Sequence, residues 1–396
     1  MSDDNKIRVR ILRGASQIGG ICTEVFTDQT RIFFDFGTPL EGEGNQDKLE
    51  IEGLTFGTAN TDAVFLTHYH GDHVGEVPNI ISSIPVYMHK TARKILQAQQ
   101  EHKVGIGEIV WAKDVLDLSV DEPVVIKDLK ITPLASDHSA SDSLMYLVEG
   151  YGKRILITGD FRLHGFYSDR VRKTFETIGH IDLMLTEGTN LNRESKNYND
   201  EKWVTERFKE VIEKYTYVFL FTSSSNIDRI AAFSRCVPEG EYVIADEYQQ
   251  KIQQIADETR EDEFKSNKVL YYSDYLKPKF EEKGGGMVVR SSDMFKEIVS
   301  YFSDKYPDET CLIYSMWQGY EDRFSNVREM LACCKNVERI HVSGHVTKED
   351  LEEVIKIVKP DKLMIHHTNC LNSYAKMPSI SEAVVLSMSD GVIIEA

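Results

Sequence analysis

The chain has 396 residues, an ordinary globular composition and a formal net charge of −18. That length fits two or three domains, and the acidic balance argues against a protein that coats nucleic acid through a basic face, without excluding a nuclease whose bound cations are absent from the charge count. No stretch approaches the roughly 20 apolar residues of a membrane span, and Met1-Ser2-Asp3-Asp4-Asn5-Lys6 lacks a signal-peptide layout, so the expectation is a soluble, cytoplasmic protein with no membrane partner.

Short β-rich runs separated by turns open the chain: 7–12, 21–27, 31–35, 63–66, 85–88, 123–127, 129–134 and 143–149. Many short strands close in sequence point to stacked sheets. Two more apolar strands follow at 154–158 and 183–186, each ending near an acid, Asp160 and Glu187. After Asn190 helices alternate with buried strands: helix 201–214, strand 218–221, helix 226–236, strand 242–245, helix 247–259. This alternation is the pattern of a parallel α/β unit. The run Gly284-Gly285-Gly286 reads as a loop, and 311–314 as a further strand. From Arg339 come a strand, the loop Ser343-Gly344-His345, and an amphipathic helix with Leu351, Val354, Ile355 and Val358 on one face. Thr347 with Asp350 is its capping start and Pro360 its stop.

The chemistry concentrates in His68-Tyr69-His70-Gly71-Asp72-His73, which follows the apolar run Ala63-Val64-Phe65-Leu66 and Thr67. Three of the twelve histidines lie in these six positions, and neutral imidazole with carboxylate is the ligand set that zinc favours. His68 and His70 can point one way while Asp72 and His73 turn toward a second point, so one loop can feed two metals. His138, Asp160 and His367 each sit just past an apolar strand, where further ligands are expected; a carboxylate between two cations about 3.5–4 Å apart can bridge them. The six cysteines contain no C-x-x-C pair, which indicates reduced, mostly buried thiols rather than a zinc knuckle or a disulfide framework. His89, His102, His164 and His180 have no partner pattern and read as surface or satisfied core residues. Val218 to Asn226, an apolar strand ending in hydroxyls at a helix N-terminus, suits a phosphate, and Ser343 and Gly344 between His341 and His345 could form a similar backbone pocket.

His68-x-His70-x-Asp72-His73, Ser136-Asp137-His138-Ser139 and Thr158-Gly159-Asp160-Phe161 resemble the successive metal motifs of the metallo-β-lactamase fold, with Asp35 matching its early aspartate. Leu185-Thr186-Glu187-Gly188-Thr189-Asn190, Ser223-Ser224-Ser225-Asn226-Ile227-x-Arg229-Ile230, His341-Val342-Ser343-Gly344-His345 and the stretch from Lys359-Pro360 to His367 resemble the β-CASP nucleases, most closely the ribonuclease J group. The resemblance spans nearly the whole chain. It implies an α/β protein: a metallo-β-lactamase αββα sandwich formed by residues 1–190 and 339–396, with a β-CASP α/β domain inserted at 191–338 and the active site where they meet.

By the same resemblance His68, His70 and His138 hold one zinc and Asp72, His73 and His367 the other, with Asp160 bridging. Mn2+ or Mg2+ are substitutes. Asp35 orients a ligand, Glu187 lies near the scissile phosphate, and His345 protonates the leaving oxygen or neutralises charge. Ser223, Ser225, His341 and Ser343 contact phosphates of the strand. His366 competes with His367 as the last ligand. The implied activity is zinc-dependent hydrolysis of single-stranded RNA by a two-metal hydroxide mechanism, exonucleolytic from the 5′ end, endonucleolytic or both. Alternatives are a DNA nuclease of the same family, a small-molecule hydrolase on the same fold, and a catalytically inert nucleic-acid-binding relative.

Departures from the ribonuclease J pattern are Glu187 in place of aspartate, Thr368-Asn369 after the last histidine, and a sequence that ends soon after Gly391-Val392-Ile393-Ile394, from which the expectation is that the C-terminal domain supporting oligomerisation in that group is missing. A homodimer is left open. The segment from Tyr314 to Asn326 has no counterpart in the pattern, and it bears on substrate choice.

Overall fold

The computed structural model describes residues 6–42, 44–105, 114–193, 199–273, 275–370, 384–386 and 389–396. The chain divides into two compact units, one formed by Met1–Leu163, Tyr167–Lys196 and Gly344–Ala396, the other by His164–Phe166 and Asn197–Ser343.

In the first unit, the described residues form two seven-stranded mixed sheets. One runs in the order Ile393–Glu395, Arg8–Arg13, Cys22–Phe26, Arg31–Phe34, Ala63–Phe65, Val86–His89 and Val115–Leu118. The other runs Val384–Val385, Lys362–His366, Leu183–Glu187, Lys153–Ile157, Leu144–Gly150, Leu129–Ala135 and Val124–Ile126. Period-two alternation decides their stacking. Leu144, Tyr146 and Val148 join Val9, Ile11, Phe34 and Phe65 in a core between the sheets, whereas Met145 and Leu147, one step out of phase, pack with Val171, Phe175, Leu351 and Val354 of helices Ser168–Thr177 and Lys348–Val358. Helix Lys90–Gly105 contacts the strands Val86–His89 and Val115–Leu118 of the first sheet and buries Thr91, Ala92, Ile95, Leu96 and Ala98. These layers are the expected αββα sandwich. The helix at Lys348 starts as its sequence predicts, the Asp350 N–H donating to Thr347 Oγ1.

The second unit holds a six-stranded, all-parallel sheet ordered Val269–Tyr271, Tyr242–Ala245, Gly285–Val289, Tyr217–Phe221, Thr310–Tyr314 and Val337–Arg339. Both faces are covered, so its inner strand Tyr217–Phe221 reads as an unbroken apolar run, whereas the edge strand Val337–Arg339 carries Glu338 and Arg339. Val218 and Leu220 face Val204, Phe208 and Phe233, while Phe219 and Phe221 face Phe295, Phe302 and Met330.

Three expectations need correction. Gly284-Gly285-Gly286 is not simply a loop: Gly284, at φ +78°, ends helix Leu276–Lys283, and Gly285 begins an inner strand. A side chain at Gly285 would lie 2.1 Å from the Tyr242 carbonyl oxygen, so the close strand approach requires glycine. The strand placed after Arg339 instead ends there, in register with Tyr314. The first third also contains a long helix, Lys90–Gly105, whose buried residues recur at three- and four-residue spacing. All six cysteines are free thiols, with Cys22, Cys311 and Cys334 buried and the others partly so. No helix among the described residues is long and apolar enough to cross a membrane.

Candidate metal centre

The strand Ala63–Phe65 delivers Thr67 and His68 to the edge of the first sheet, and His70 caps the one-turn helix Gly71–Val74 that carries Asp72 and His73. Backbone bonds clamp that turn. The N–H groups of Ile21, Phe36 and Thr38 donate to the carbonyls of Asp72, His73 and Gly71 at 3.0, 2.8 and 2.9 Å. A side chain at Gly37 would lie 1.6 Å from the Asp72 carbonyl oxygen, so this approach too depends on glycine.

His68 Nε2, His70 Nδ1 and His138 Nε2 converge, with His70 Nδ1 3.1 Å from each of the other two nitrogens. Ligands at ~2.0–2.1 Å from a tetrahedral zinc would stand about 3.4 Å apart, close to that spacing. Asp72, His73 and His367 make a second group, with Asp72 Oδ2 3.4 Å from His367 Nε2. Asp160 lies against both. Its Oδ2 is 3.2 Å from His73 Nε2, 3.8 Å from His138 Nε2 and 3.9 Å from His68 Nε2, while Oδ1 is 3.9 Å from His367 Nε2.

The imidazole tautomers follow from the surrounding bonds. Asp35, held in a left-handed conformation at φ +58°, accepts the Thr67 N–H and hydroxyl and lies 2.8 Å from His73 Nδ1. The His73 Nδ1 therefore carries the proton and Nε2 faces the centre. Because the Thr67 hydroxyl donates to Asp35, it accepts from His68 Nδ1 at 3.0 Å. The Thr189 hydroxyl is placed likewise, 2.7 Å from His367 Nδ1, and the Gly344 carbonyl accepts from His138 Nδ1 at 2.6 Å. In each of these four histidines Nδ1 is spent on an orienting bond and Nε2 is left for a ligand. Among the described residues, Nε2 of both His73 and His367 is buried without a well-formed hydrogen bond and faces a carboxylate, Asp160 at 3.2 Å and Asp72 at 3.4 Å, an arrangement that a bound cation would satisfy. The donor set and these buried nitrogens fit a metal site.

Burial pushes His68 and His138 well below the usual histidine pKa and His70 to about 4, which keeps these rings neutral as ligation requires. Burial would also lower His73, but Asp160, Asp35 and Asp72 outweigh it and raise the ring well above its usual value. The Asp160 carboxyl is held far below the carboxylate range: burial opposes this, and His367, His73 and His345 overcome it.

Glu187 ends the strand Leu183–Glu187 fully buried, where Oε1 accepts the Phe161 N–H at 2.9 Å and the Val346 N–H at 3.4 Å. Its Oε2 lies 3.0 Å from His345 Nδ1. His345 is the more open partner, its side chain 24% exposed. Burial would lower His345, but Glu187 and Asp160 raise it to about 9. Glu187 thus ties the residue after Asp160 to the loop that carries His345.

Between the two neighbouring histidines, His367 is the one that reaches Asp72 and Asp160. A left-handed turn at φ +53° sends its ring there. His366 is buried, neither ring nitrogen is hydrogen-bonded among the described residues, and burial together with His367 lowers it to about 3. His164, which has no sequence pattern, is buried, with Nε2 2.8 Å from the Ser343 carbonyl oxygen.

Ser223, Ser225, His341 and Ser343 belong to the second unit, whereas the grouped ligands belong to the first. Ser223 Oγ and Ser225 Oγ are 2.8 Å apart at the end of strand Tyr217–Phe221. The following helix, Ile227–Cys236, has Asn226 at its N-cap, with no capping bond from that side chain. His341 Nδ1 is 2.9 Å from Nη1 of the buried Arg229, which also pairs with Glu201 and donates to the Val342 carbonyl. Guanidinium is always a donor, so His341 must accept at Nδ1 and carry its proton on Nε2. Thr67, between its strand and the first ligand, carries a local signal, whereas the roles of Thr189 and Arg229 depend on distant residues, His367 and Glu201.

Residues 45–213 match the family model described as a beta-lactamase superfamily domain. The probable RNase MJ4 of Methanocaldococcus jannaschii is 24% identical over 90% of this chain and 92% of its own. Ribonuclease J of Mycoplasma pneumoniae is 27% identical over 55% of this chain and 39% of its own, so the present chain spans well under half of that relative. The crystal structure of a protein of unknown function from Enterococcus faecalis superposes with a TM-score of 0.79 at 18% identity, covering 99% of this chain and 100% of the other, a likeness of fold.

Proposed function

Starting from a chain that carries a metallo-β-lactamase superfamily domain and has relatives among the β-CASP ribonucleases, we propose that it is a zinc-dependent ribonuclease that hydrolyses phosphodiester bonds of single-stranded RNA. The observation that carries this reading is the convergence of two ligand groups on Asp160, with four rings locked at Nδ1 and turned inward by Nε2. His68, His70 and His138 would hold one cation, and Asp72, His73 and His367 the other. When bound, such a pair supplies Lewis acidity toward a phosphoryl group and a nucleophile at neutral pH.

The chain's own residues do the rest. Asp35, Thr67 and Thr189 keep the ligand rings in the tautomer that ligation needs. His345, whose Nδ1 lies 3.0 Å from Glu187 Oε2, would give a proton to the departing ribose oxygen, a poor leaving group as an alkoxide. Glu187 holds His345 in place and accepts the N–H beside Asp160. Ser223, Ser225, His341 through its Nε2 proton, and Ser343 would bind phosphates of the strand.

The test is incubation of the zinc-loaded protein with end-labelled single-stranded RNA and DNA bearing 5′-phosphate, 5′-hydroxyl or 5′-triphosphate. An RNA product ladder that disappears on chelation and returns with zinc is expected. Intact RNA in every arm, or activity indifferent to chelation, would overturn the reading.

A further inference from the structure

We infer that the segment after strand Thr310–Tyr314 is a stacking platform for the bases of a single-stranded nucleic acid, with Trp317 as its main surface. The inference rests on the nuclease reading for its ligand class, but on separate residues.

The segment leaves the sheet beside the phosphate candidates. Phe221 and Tyr314 are in register on neighbouring parallel strands, and the loops that follow them remain bonded. The Ser315 N–H donates to the Phe221 carbonyl at 2.9 Å, and the Thr222 hydroxyl to the Ser315 carbonyl at 3.1 Å. On the other side Tyr314 is in register with Arg339, two residues before His341. Three adjacent strands thus end on one sheet edge and deliver Ser223 with Ser225, Trp317, and His341. Carboxyl ends of parallel strands are where open α/β sheets bind ligands.

The segment is also built to present rings. Trp317 and Tyr320 meet edge to face at 5.5 Å, and Tyr320 and Phe324 stand 5.8 Å apart. Tyr320 is 41% and Phe324 39% exposed, and Trp317 is half-buried. The Arg323 guanidinium lies 5.1 Å from the Trp317 ring centroid. A side chain at Gly319 would lie 2.3 Å from the indole, so glycine allows the indole to lie close over the backbone. The Tyr314 hydroxyl donates to the Trp317 carbonyl at 2.9 Å, and Arg339 pairs with Glu321 at 2.8 Å, which orders the segment in advance.

Aromatic faces with a guanidinium beside them, next to hydroxyl and imidazole donors for phosphate, are the combination that holds a single strand whatever its sequence. A protein partner would gain from the rings but not from the neighbouring phosphate donors. A nucleic acid strand uses both.

The test measures binding of a labelled oligouridylate with phosphorothioate linkages, which resists cleavage, and of the same oligomer with abasic sugars. Trp317→Ala should weaken binding of the intact oligomer by about 5- to 100-fold, as loss of one stacked base would, and Trp317→Phe should restore most of it. The abasic oligomer should bind weakly to wild type and no more weakly to Trp317→Ala. Tyr320→Ala, at an exposed position, carries the same comparison if Trp317→Ala does not fold. Unchanged affinity in folded variants would overturn the platform, as would a switch in oligomeric state with unchanged affinity, which would make the surface a contact between copies. Cleavage of unmodified RNA by wild type, run in parallel, keeps this outcome distinct from failure of the nuclease reading.

Discussion

Asp137 and Arg162 form an ion pair in which neither side chain has exposed surface, with Arg162 Nε 2.9 Å from Asp137 Oδ1. The pair joins two ligand loops. Asp137 precedes His138, Arg162 follows Asp160 by two residues, and the Arg162 N–H donates to the Asp137 carbonyl at 2.8 Å. The other Asp137 oxygen accepts the Tyr167 N–H at 2.7 Å. Replacing Arg162 by Met leaves a buried carboxylate without its counter-charge, which should destabilise the protein by about 3–5 kcal/mol. Urea titration checks this; a midpoint equal to wild type would show that the pair carries no such weight.

Gly37 sets the position of the turn that bears Asp72 and His73, because a methyl group there would overlap the Asp72 carbonyl. Gly37→Ala should therefore cost more than the ~1 kcal/mol typical of point substitutions and should weaken metal binding at the Asp72 side. Calorimetric titration with zinc would reveal it. Wild-type affinity together with wild-type stability would contradict the clamp.

Metal content discriminates the two ligand groups. A replacement of both Asp72 and His367 by alanine should lower bound zinc from two ions to about one per chain and abolish nearly all turnover. Elemental analysis that still finds wild-type stoichiometry would remove these residues from the ligand set.

His345→Ala should retain metal but slow cleavage by roughly 10²–10⁴-fold, the range for loss of a general acid. The decisive comparison is single-turnover cleavage against zinc content. Wild-type rate in the variant would exclude His345 from the chemistry.

Glu187→Ala leaves the Phe161 and Val346 N–H groups without their buried acceptor and releases His345. A loss of about 1–3 kcal/mol is expected for each unsatisfied donor, with a fall in activity larger than Glu187→Gln produces, since glutamine keeps one acceptor oxygen. Equal activity of the two variants would show that the accepting oxygen is unimportant.

Much of this molecule is local in the sequence. The metal turn follows directly on its strand, the strands of the sandwich alternate with period two, and inner strands of the parallel sheet such as Tyr217–Phe221 are apolar because both faces are covered. The capping of the helix at Lys348 is equally local, since Thr347 bonds an N–H three residues ahead. These features depend on neighbours along the chain, which pattern reports directly.

Contacts between distant residues were not legible in that way. Asp35 reaches His73, Thr189 reaches His367, and the Gly344 carbonyl reaches His138 across 206 residues, so which nitrogen of each ring faces the centre was decided only by packing. The choice between His366 and His367 was likewise left to a left-handed turn at His367, and the glycine run became an inner strand only where Tyr242 came close. Residue types at the right spacing determined that this chain carries a set of metal-ligand side chains; the tertiary structure decided which atoms converge, because convergence is a matter of geometry between strands that the sequence does not place side by side.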